Sequence, residues 1–322
     1  MSFTAMRVLV VLAGAALGTS IAVAEDYPSR TIRLVVGFAA GGSTDIPARY
    51  VADKLGMLLG QRVIVENKPA AAGMLATRDV LAQPKDGYNL LLCTHFESIN
   101  RAVYRNAQFE LSDLAPISLI SKYYYGLALA NAVPATDLKG FIAYAKAHPG
   151  AISYGTIGSG SAQEIFARQL ERLAGITMNR VPYRGGAQAM QDLLPGRLQF
   201  FVSPMLSIIP HGNDGTLKIL GVSSPERLAA APNVPTLREQ GIDFVRFGWL
   251  GICAAAGTPQ PIIDRLHKHV ATIVASPDYR EVTERAGSIP AASSPQELRS
   301  IILQTRADVE ATIQEFGLQQ EQ

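Results

Sequence analysis

The feature that most constrains the fold is a junction between an apolar run and a helical pattern at residues 34–45. The run is rich in β-branched residues and ends in a loop of small residues that contains Gly41 and Gly42. A helical pattern begins directly afterwards, at Asp45. This order predicts a strand, a tight loop and a helix N-terminus, where free N–H groups and the helix dipole favour an anion such as a carboxylate. Nothing nearby resembles a nucleophile, a base or a metal cage, so the junction predicts a binding protein rather than an enzyme.

Residues 1–24 have the pattern of an export signal. Arg7 is the only charged residue in this segment, an apolar core follows from Val8 to Ser20, and residues 22–24 fit a small-x-small cleavage site. We therefore expect cleavage before Glu25 and a periplasmic location. The core is too short to span a bilayer, and no later apolar stretch is long enough to do so.

The composition excludes several classes of partner. The chain has 322 residues, with 29 Lys and Arg against 27 Asp and Glu. This near-neutral balance gives no indication of a nucleic acid or an anionic membrane surface as a partner. The five histidines lack the spacing typical of metal ligands. We therefore expect a monomer with no cofactor and no metal.

Short apolar strands alternate with amphipathic helical patterns along the chain, which predicts an α/β protein with mostly parallel, doubly wound sheets. Strands are predicted at 115–121 and 126–130, with a break at residues 122–125 between them. The pattern changes again at residues 222–231. The two changes predict a discontinuous first domain, residues 25–123 and 225–322, and an inserted second domain, residues 124–224. Two domains joined by crossover strands can open and close about a ligand.

The two cysteines, Cys93 and Cys253, both lie in apolar, strand-like runs. An exported location permits a disulfide between them. The alternative is two buried thiols that pack as small hydrophobic groups. A chain of this size does not need the cross-link, and the sequence leaves both interpretations open.

A second glycine-rich loop, residues 154–164, also follows a predicted strand and opens a helix. Its backbone N–H groups and the hydroxyls of Ser159 and Ser161 could hold a carboxylate. The spacing Ser161-x-x-Glu164 equally fits a capping box, in which both side chains serve the helix start. Because the loop contains more glycine than capping requires, we favour ligand contact.

Three further positions are candidates for the site, each with a structural alternative. Tyr183 could donate a hydrogen bond to a ligand, and Arg184 could pair with a carboxylate through two hydrogen bonds, unless it is a solvated loop charge. His95 follows a predicted strand and is expected at the same sheet edge as Gly41. The alternative is a loop histidine whose hydrogen bonds are made within the protein. Trp249 is expected to pack in the core.

Short motifs along the chain resemble those of the extracytoplasmic solute receptors of tripartite tricarboxylate transporters, also called Bug receptors. In order, they are AGGSTD at 40–45, VENKP at 65–69, DGY at 86–88, DLAPI at 113–117, VPYRGG at 181–186, NVPT at 233–236 with EQG at 239–241, and AGTP at 256–259. Each is weak alone, but their common order indicates the family over essentially the whole mature chain.

The resemblance implies a two-domain Venus flytrap receptor without catalysis, which delivers a small organic carboxylate to a large and a small integral membrane subunit. Carried over by position, the resemblance places the ligand site at the first loop and the second loop, with the strand end at residues 94–96 on its other side. The candidate ligand-binding residues are Phe38, Ala39, Ala40, Gly41, Gly42, Ser43, Thr44, Thr94, His95, Phe96, Gly158, Ser159, Gly160, Ser161 and Ala162, together with Tyr183, Arg184 and Ser203.

The chain departs from the family pattern at several of these places. Gly37 and Ala39 stand where the family often has proline, and Glu164 stands where it commonly has histidine. Ser203 replaces a frequent aspartate that meets an ammonium group in some members, which argues against an amino acid as ligand. A monocarboxylate or dicarboxylate remains, aromatic acids included.

Two other functions use the same sequence features. A periplasmic ligand-sensing partner of a membrane histidine kinase would need the same binding site, and the neighbouring genes would discriminate it from a transport receptor. An enzyme acting on a carboxylated substrate would need an acid–base pair or a nucleophile that the motifs do not provide.

Overall fold

The computed structural model describes residues 27–41, 44–104, 107–157, 161–183, 185–285 and 288–317. The export segment lies outside these ranges, so its cleavage stays a prediction. Within the described ranges, no helix combines the length and the apolar character that a membrane crossing requires.

Strands and helices alternate through most of the chain. The strands are β1 Ile32–Val36, β2 Val63–Asn67, β3 Asn89–Thr94, β4 Leu114–Ala130, β5 Ser153–Thr156, β6 Asn179–Pro182, β7 Phe200–Pro204, β8 Leu217–Val222, β9 Phe247–Ala255 and β10 Ile289–Pro290. The helices are α1 Asp45–Leu59, α2 Met74–Leu81, α3 His95–Val103, α4 Leu138–Ala147, α5 Ala162–Ala174, α6 Gly186–Leu193, α7 Met205–Asn213, α8 Gln260–Val274, α9 Pro277–Arg285 and α10 Pro295–Phe316.

Two sets of parallel strands are joined by antiparallel ones. The pairing order is β2-β1-β3-β9-β4-β7-β5-β6, and β8 and β10 also pair with β4. β1 runs parallel to β2 and β3, and β5 runs parallel to β6 and β7. β4 and β9 run antiparallel to their neighbours. We call β1–β3, β9 and β10 with their helices the first lobe, and β5–β8 with α4–α7 the second lobe.

Helices cover both faces of the strands in each lobe, so the predicted doubly wound α/β class is confirmed. In the first lobe, α1 and α8 cover one face and α2 and α10 the other. In the second lobe, α4 and α5 lie on one face and α6 and α7 on the other. Strands buried on both faces read as continuous apolar runs, which is why β1 and β3 were recognisable from the sequence.

The predicted break at residues 122–125 is wrong, because β4 is one continuous strand from Leu114 to Ala130. Within it the chain changes partners rather than conformation. Tyr124 pairs with Phe247 of β9, and the next residue, Tyr125, pairs with Pro204 of β7. Aromatic residues fit a pleated, half-buried strand, so the tyrosines extend β4 instead of ending it.

The chain passes from the first lobe to the second within β4, and it returns to the first lobe over a longer segment. Leu237 and Phe244 pack in the core of the second lobe, and the chain re-enters the first lobe at β9. This packing favours a return near Phe247, whereas the boundaries at 123/124 and 224/225 stay predictions. α10 then lies across both lobes: Ser98 of α3 donates a hydrogen bond to the Ile302 carbonyl at 2.8 Å, and Gln169 of α5 donates one to the Thr312 hydroxyl at 3.0 Å.

Cys93 and Cys253 form a disulfide, which resolves the two interpretations that the sequence left open. The bond joins β3 to β9, and both side chains are fully buried. Trp249 also lies in the core, as predicted, and its ring N–H donates to the Thr305 hydroxyl at 3.2 Å.

Candidate ligand-binding site

The first loop connects β1 to α1, as predicted, and its backbone is bound by the carboxylate of Asp45, the first residue of the helix. The Gly41 N–H donates to the Asp45 carboxylate at 2.8 Å, and Arg49 and Asn67 donate to the same carboxylate. Burial would raise the pKa of Asp45, but these hydrogen bonds outweigh it and hold the pKa below its ordinary value. The Gly41 N–H is therefore engaged within the protein, while Ala39 and Ala40 are exposed.

A helix that the sequence analysis missed lies at the end of β3. Thr94 caps α3 by accepting from the Phe96 N–H at 3.1 Å, and Glu97 reaches back to the Thr94 N–H at 2.6 Å. His95 is therefore the first residue of a helix and not a loop residue. The spacing Thr94-x-x-Glu97 is the capping-box signal that could have revealed this helix.

His95 is enclosed by aromatic side chains. Its ring nitrogens lie 3.4 Å from the Tyr123 hydroxyl and 3.2 Å from the Tyr125 hydroxyl, and its ring lies 4.4 Å from that of Phe96. Burial lowers the pKa of His95 to about 4, although a hydrogen bond to the Trp249 backbone opposes the shift. At neutral pH the side chain is uncharged, so it can exchange hydrogen bonds but offers no positive charge to an anion.

Glu97 is the second buried titratable group of this region. Its carboxylate accepts from the Thr94 hydroxyl at 3.0 Å and from the Thr77 hydroxyl at 3.1 Å. Burial raises the pKa of Glu97 to about 7, against the effect of these hydrogen bonds. The start of α3 therefore carries an acidic group from its own chain, as the start of α1 does.

The second loop ends at the start of α5. Ser161 caps this helix by accepting from the Glu164 N–H at 3.4 Å. This is the hydrogen bond that the serine hydroxyl makes in the predicted capping box. The Glu164 carboxylate is buried and lies 2.8 Å from Arg180. Sequence reasoning also missed Thr156 and Gln163, which flank the loop. Each has a buried side-chain oxygen without a hydrogen-bond partner among the described residues.

The parallel strands bring the other candidates to the same edge of the second lobe. Tyr183 follows β6, Ser203 lies near the end of β7, and Thr156 ends β5. Ligands of α/β proteins bind at the carboxyl ends of such strands. The Tyr183 hydroxyl donates to Asp192 at 3.0 Å, and Ser203 is buried. Whether either side chain contacts a ligand stays a prediction.

Contacts join the three walls that the sequence analysis proposed. The rings of Phe38 and Phe96 lie 5.4 Å apart, which links the first loop to α3. His95 of α3 and Ala162 of α5 line a single cavity of about 150 Å³. Six predicted site residues lie outside the described residues: Gly42, Ser43, Gly158, Ser159, Gly160 and Arg184.

Comparison with known proteins places the chain in a receptor family. The family model described as tripartite tricarboxylate transporter family receptor matches residues 47–318. The chain belongs to this receptor family. A curated relative, the UPF0065 protein in the gbd 5' region of Cupriavidus necator, is 34% identical over 97% of this chain and 96% of its own length. The resemblance inferred from the short motifs is thereby confirmed.

Two solved structures of similar proteins from Rhodopseudomonas palustris contain dicarboxylates. Rpa4515 with adipate superposes on this receptor with a TM-score of 0.83 and is 27% identical, covering 91% of this chain and 99% of its own. MatC with bound malate has a TM-score of 0.77 and is 26% identical, and the match covers 89% of this chain and 100% of the MatC chain. The fold of the receptor is therefore that of known periplasmic solute-binding proteins.

The end of β1 leaves no room for a side chain at Gly37. A Cβ atom at Gly37 would lie 2.6 Å from the Gly73 Cα, because β1 ends directly against the chain that enters α2. We expect Gly37→Ala to lower the free energy of unfolding by about 1–3 kcal/mol, as overpacking does elsewhere. Urea unfolding of the variant measures this loss.

Gly185 provides the matched control for that substitution. A Cβ atom there meets nothing within 4 Å, and its backbone is extended, with a φ of 178°. Gly185→Ala should therefore leave the midpoint unchanged. Equal effects of the two substitutions would show that the contact between the first loop and Gly73 does not constrain the receptor.

Proposed function

We propose that this protein is a periplasmic receptor that captures a small organic carboxylate between its lobes and delivers it to the membrane subunits of a tripartite tricarboxylate-type transporter. It acts by binding and release, not by catalysis. The family membership supports the transport role, and the dicarboxylates bound by the Rhodopseudomonas relatives support the class of ligand.

The observation that carries the proposal is the difference between three helix starts. α1 and α3 each hold an acidic side chain of the chain itself, Asp45 and Glu97. α5 is capped by the hydroxyl of Ser161, as α3 is capped by the hydroxyl of Thr94. The acidic residue in its first turn, Glu164, is paired with Arg180. Of these three starts, α5 is the one whose first-turn carboxylate is paired with an arginine from a neighbouring strand, and we place the incoming carboxylate there, at the positive end of the helix dipole.

The expected affinity follows from the number of donors at this helix start. A hydrogen bond to a charged group contributes about 1.5–3 kcal/mol, and a partly buried helix end contributes up to about 2 kcal/mol. About four such hydrogen bonds together with the helix end can reach, after the costs of association, the roughly 8 kcal/mol that a micromolar Kd requires. No cation is needed, which agrees with the uncharged state of His95 at neutral pH.

Thermal unfolding of the mature chain tests the proposal. The protein is refolded to remove bound ligand and heated with monocarboxylates and dicarboxylates, each paired with its amide. A ligand at about 100 times its Kd stabilises the folded state by roughly 3 kcal/mol, so the Tm should rise by several degrees with one acid and not with its amide. A series in which no acid raises the Tm, or in which amides act equally, would refute carboxylate capture.

A further inference from the structure

The cavity behind the start of α5 is larger than a carboxylate requires. Its volume is about 150 Å³, and its lining begins at Ala162, the first residue of α5. Ile165, Phe166 and Gln169 continue the lining along the same helix. Since a helix rises about 1.5 Å per residue, the cavity extends roughly 10 Å along α5 from the proposed carboxylate position.

The other walls come from α3 and α10, two helices of the first lobe. His95 and Ile99 of α3 line one side, and Ile301 and Val309 of α10 line the other. Most of the lining side chains are apolar or aromatic, and Gln169, Gln304, Thr305 and Thr312 add polar groups among them. A cavity of about 150 Å³ is large enough for a benzene molecule.

The aromatic side chains of the cavity are placed to contact a ring. Phe166 meets Tyr125 edge to face, with ring centroids 4.8 Å apart, and both line the cavity. Edge-to-face pairs favour a further ring because each ring has a negative face and a positive edge. Arg246 and Asp308 are the charged residues in its lining. Because their charges are opposite, a second carboxylate in the cavity would meet one attractive and one repulsive side chain.

We propose that this cavity receives the apolar body of the ligand, so that the preferred substrate of the receptor is an aromatic monocarboxylate. The inference rests on the proposed function, because the carboxylate is anchored at the start of α5. The ring then lies between α5 and α3, beneath α10. Closure of the lobes on such a ligand brings all three helices into contact with it.

A cavity-filling substitution tests the inference with phenylacetate and acetate as probes. Val309 is buried in α10 and lines the cavity, so Val309→Phe places a ring inside it. Leu303 lies on the same helix but is 52% exposed, so Leu303→Phe adds the same ring outside. Calorimetric titration should show that Val309→Phe weakens phenylacetate binding at least tenfold and changes acetate binding less than twofold. Leu303→Phe should change neither.

The wild-type receptor gives a second test that does not depend on the folding of a variant. Phenylacetate should bind at least tenfold more tightly than acetate, and 4-tert-butylphenylacetate, whose substituent exceeds the cavity, should bind more weakly than phenylacetate. Equal affinities along this series, or phenylacetate binding unaffected by Val309→Phe, would overturn the cavity assignment while leaving carboxylate capture intact. Failure of every acid to bind the wild type would instead refute the proposed function.

Discussion

Replacing both cysteines with alanine should lower the free energy of unfolding by about 2–5 kcal/mol, the largest single effect that we expect on stability. The disulfide joins Cys93 to Cys253 across a sequence separation of 160 residues. A cross-link stabilises a protein mainly by restricting its unfolded chain, and for a loop of this length the chain-entropy model gives about 5 kcal/mol. Typical measured values are about 2–4 kcal/mol. Urea unfolding of the double variant measures the loss.

Reduction of the wild type is the matched control for this prediction. It breaks the cross-link but keeps both sulfur atoms in the core, so it separates the loss of the bond from the loss of packing. The reduced wild type should show most of the loss seen in the double variant. A double variant that unfolds within about 0.5 kcal/mol of the oxidised wild type would contradict a stabilising role for the bond.

The disulfide also shows what the sequence could not reveal. Cys93 lies in β3 and Cys253 in β9, and each stands in an apolar run that is equally compatible with a buried thiol. Only the strand order places these two strands side by side. Local patterns encode strands, but the choice of neighbours depends on contacts between residues far apart in the chain.

The second large effect is a pair of opposite pH dependences at the start of α3. Burial raises the pKa of Glu97 from 4.5 to about 7, so the unfolded chain loses this proton first. The stability that Glu97 contributes is complete below pH 4.5 and is lost as the pH rises to 7. A shift of this size corresponds to about 3 kcal/mol. Relative to the Glu97→Gln variant, the wild type should lose stability as the pH rises from 4.5 to 7.

His95 should act in the opposite direction. Burial lowers its pKa from 6.5 to about 4, so the unfolded chain takes up this proton first as the pH falls. The stability that neutral His95 contributes is complete above pH 6.5 and is lost on acidification towards pH 4, again by about 3 kcal/mol. Relative to His95→Gln, the wild type should become less stable as the pH falls.

The two dependences overlap between pH 4.5 and 6.5, where they offset each other in the wild type. Each single variant should therefore reveal the slope of the remaining group, upward on acidification for His95→Gln and downward for Glu97→Gln. Urea unfolding at intervals of half a pH unit measures both slopes. A loss of stability that is the same at every pH does not affect the slopes. Identical slopes of the free energy of unfolding against pH in the wild type and both variants would contradict the buried titration of these groups.

The same helix marks the limit of the sequence analysis of the site. α3 is only nine residues long and buries polar residues, among them His95, Glu97, Ser98 and Asn100, so its few apolar residues give too short a helical pattern to stand out. The first and second loops were found because each joins an apolar run, a glycine-rich segment and an amphipathic helix in order. That the start of α1 is already occupied by Asp45 depends on side-chain geometry, which no local pattern specifies.

A crystal structure of the receptor with its tightest-binding acid tests the central claim most directly. We predict a carboxylate within hydrogen-bond distance of backbone N–H groups at the start of α5, between Ser161 and the start of α3. A carboxylate bound instead to Arg246, or a ligand held outside the space between the lobes, would contradict the account.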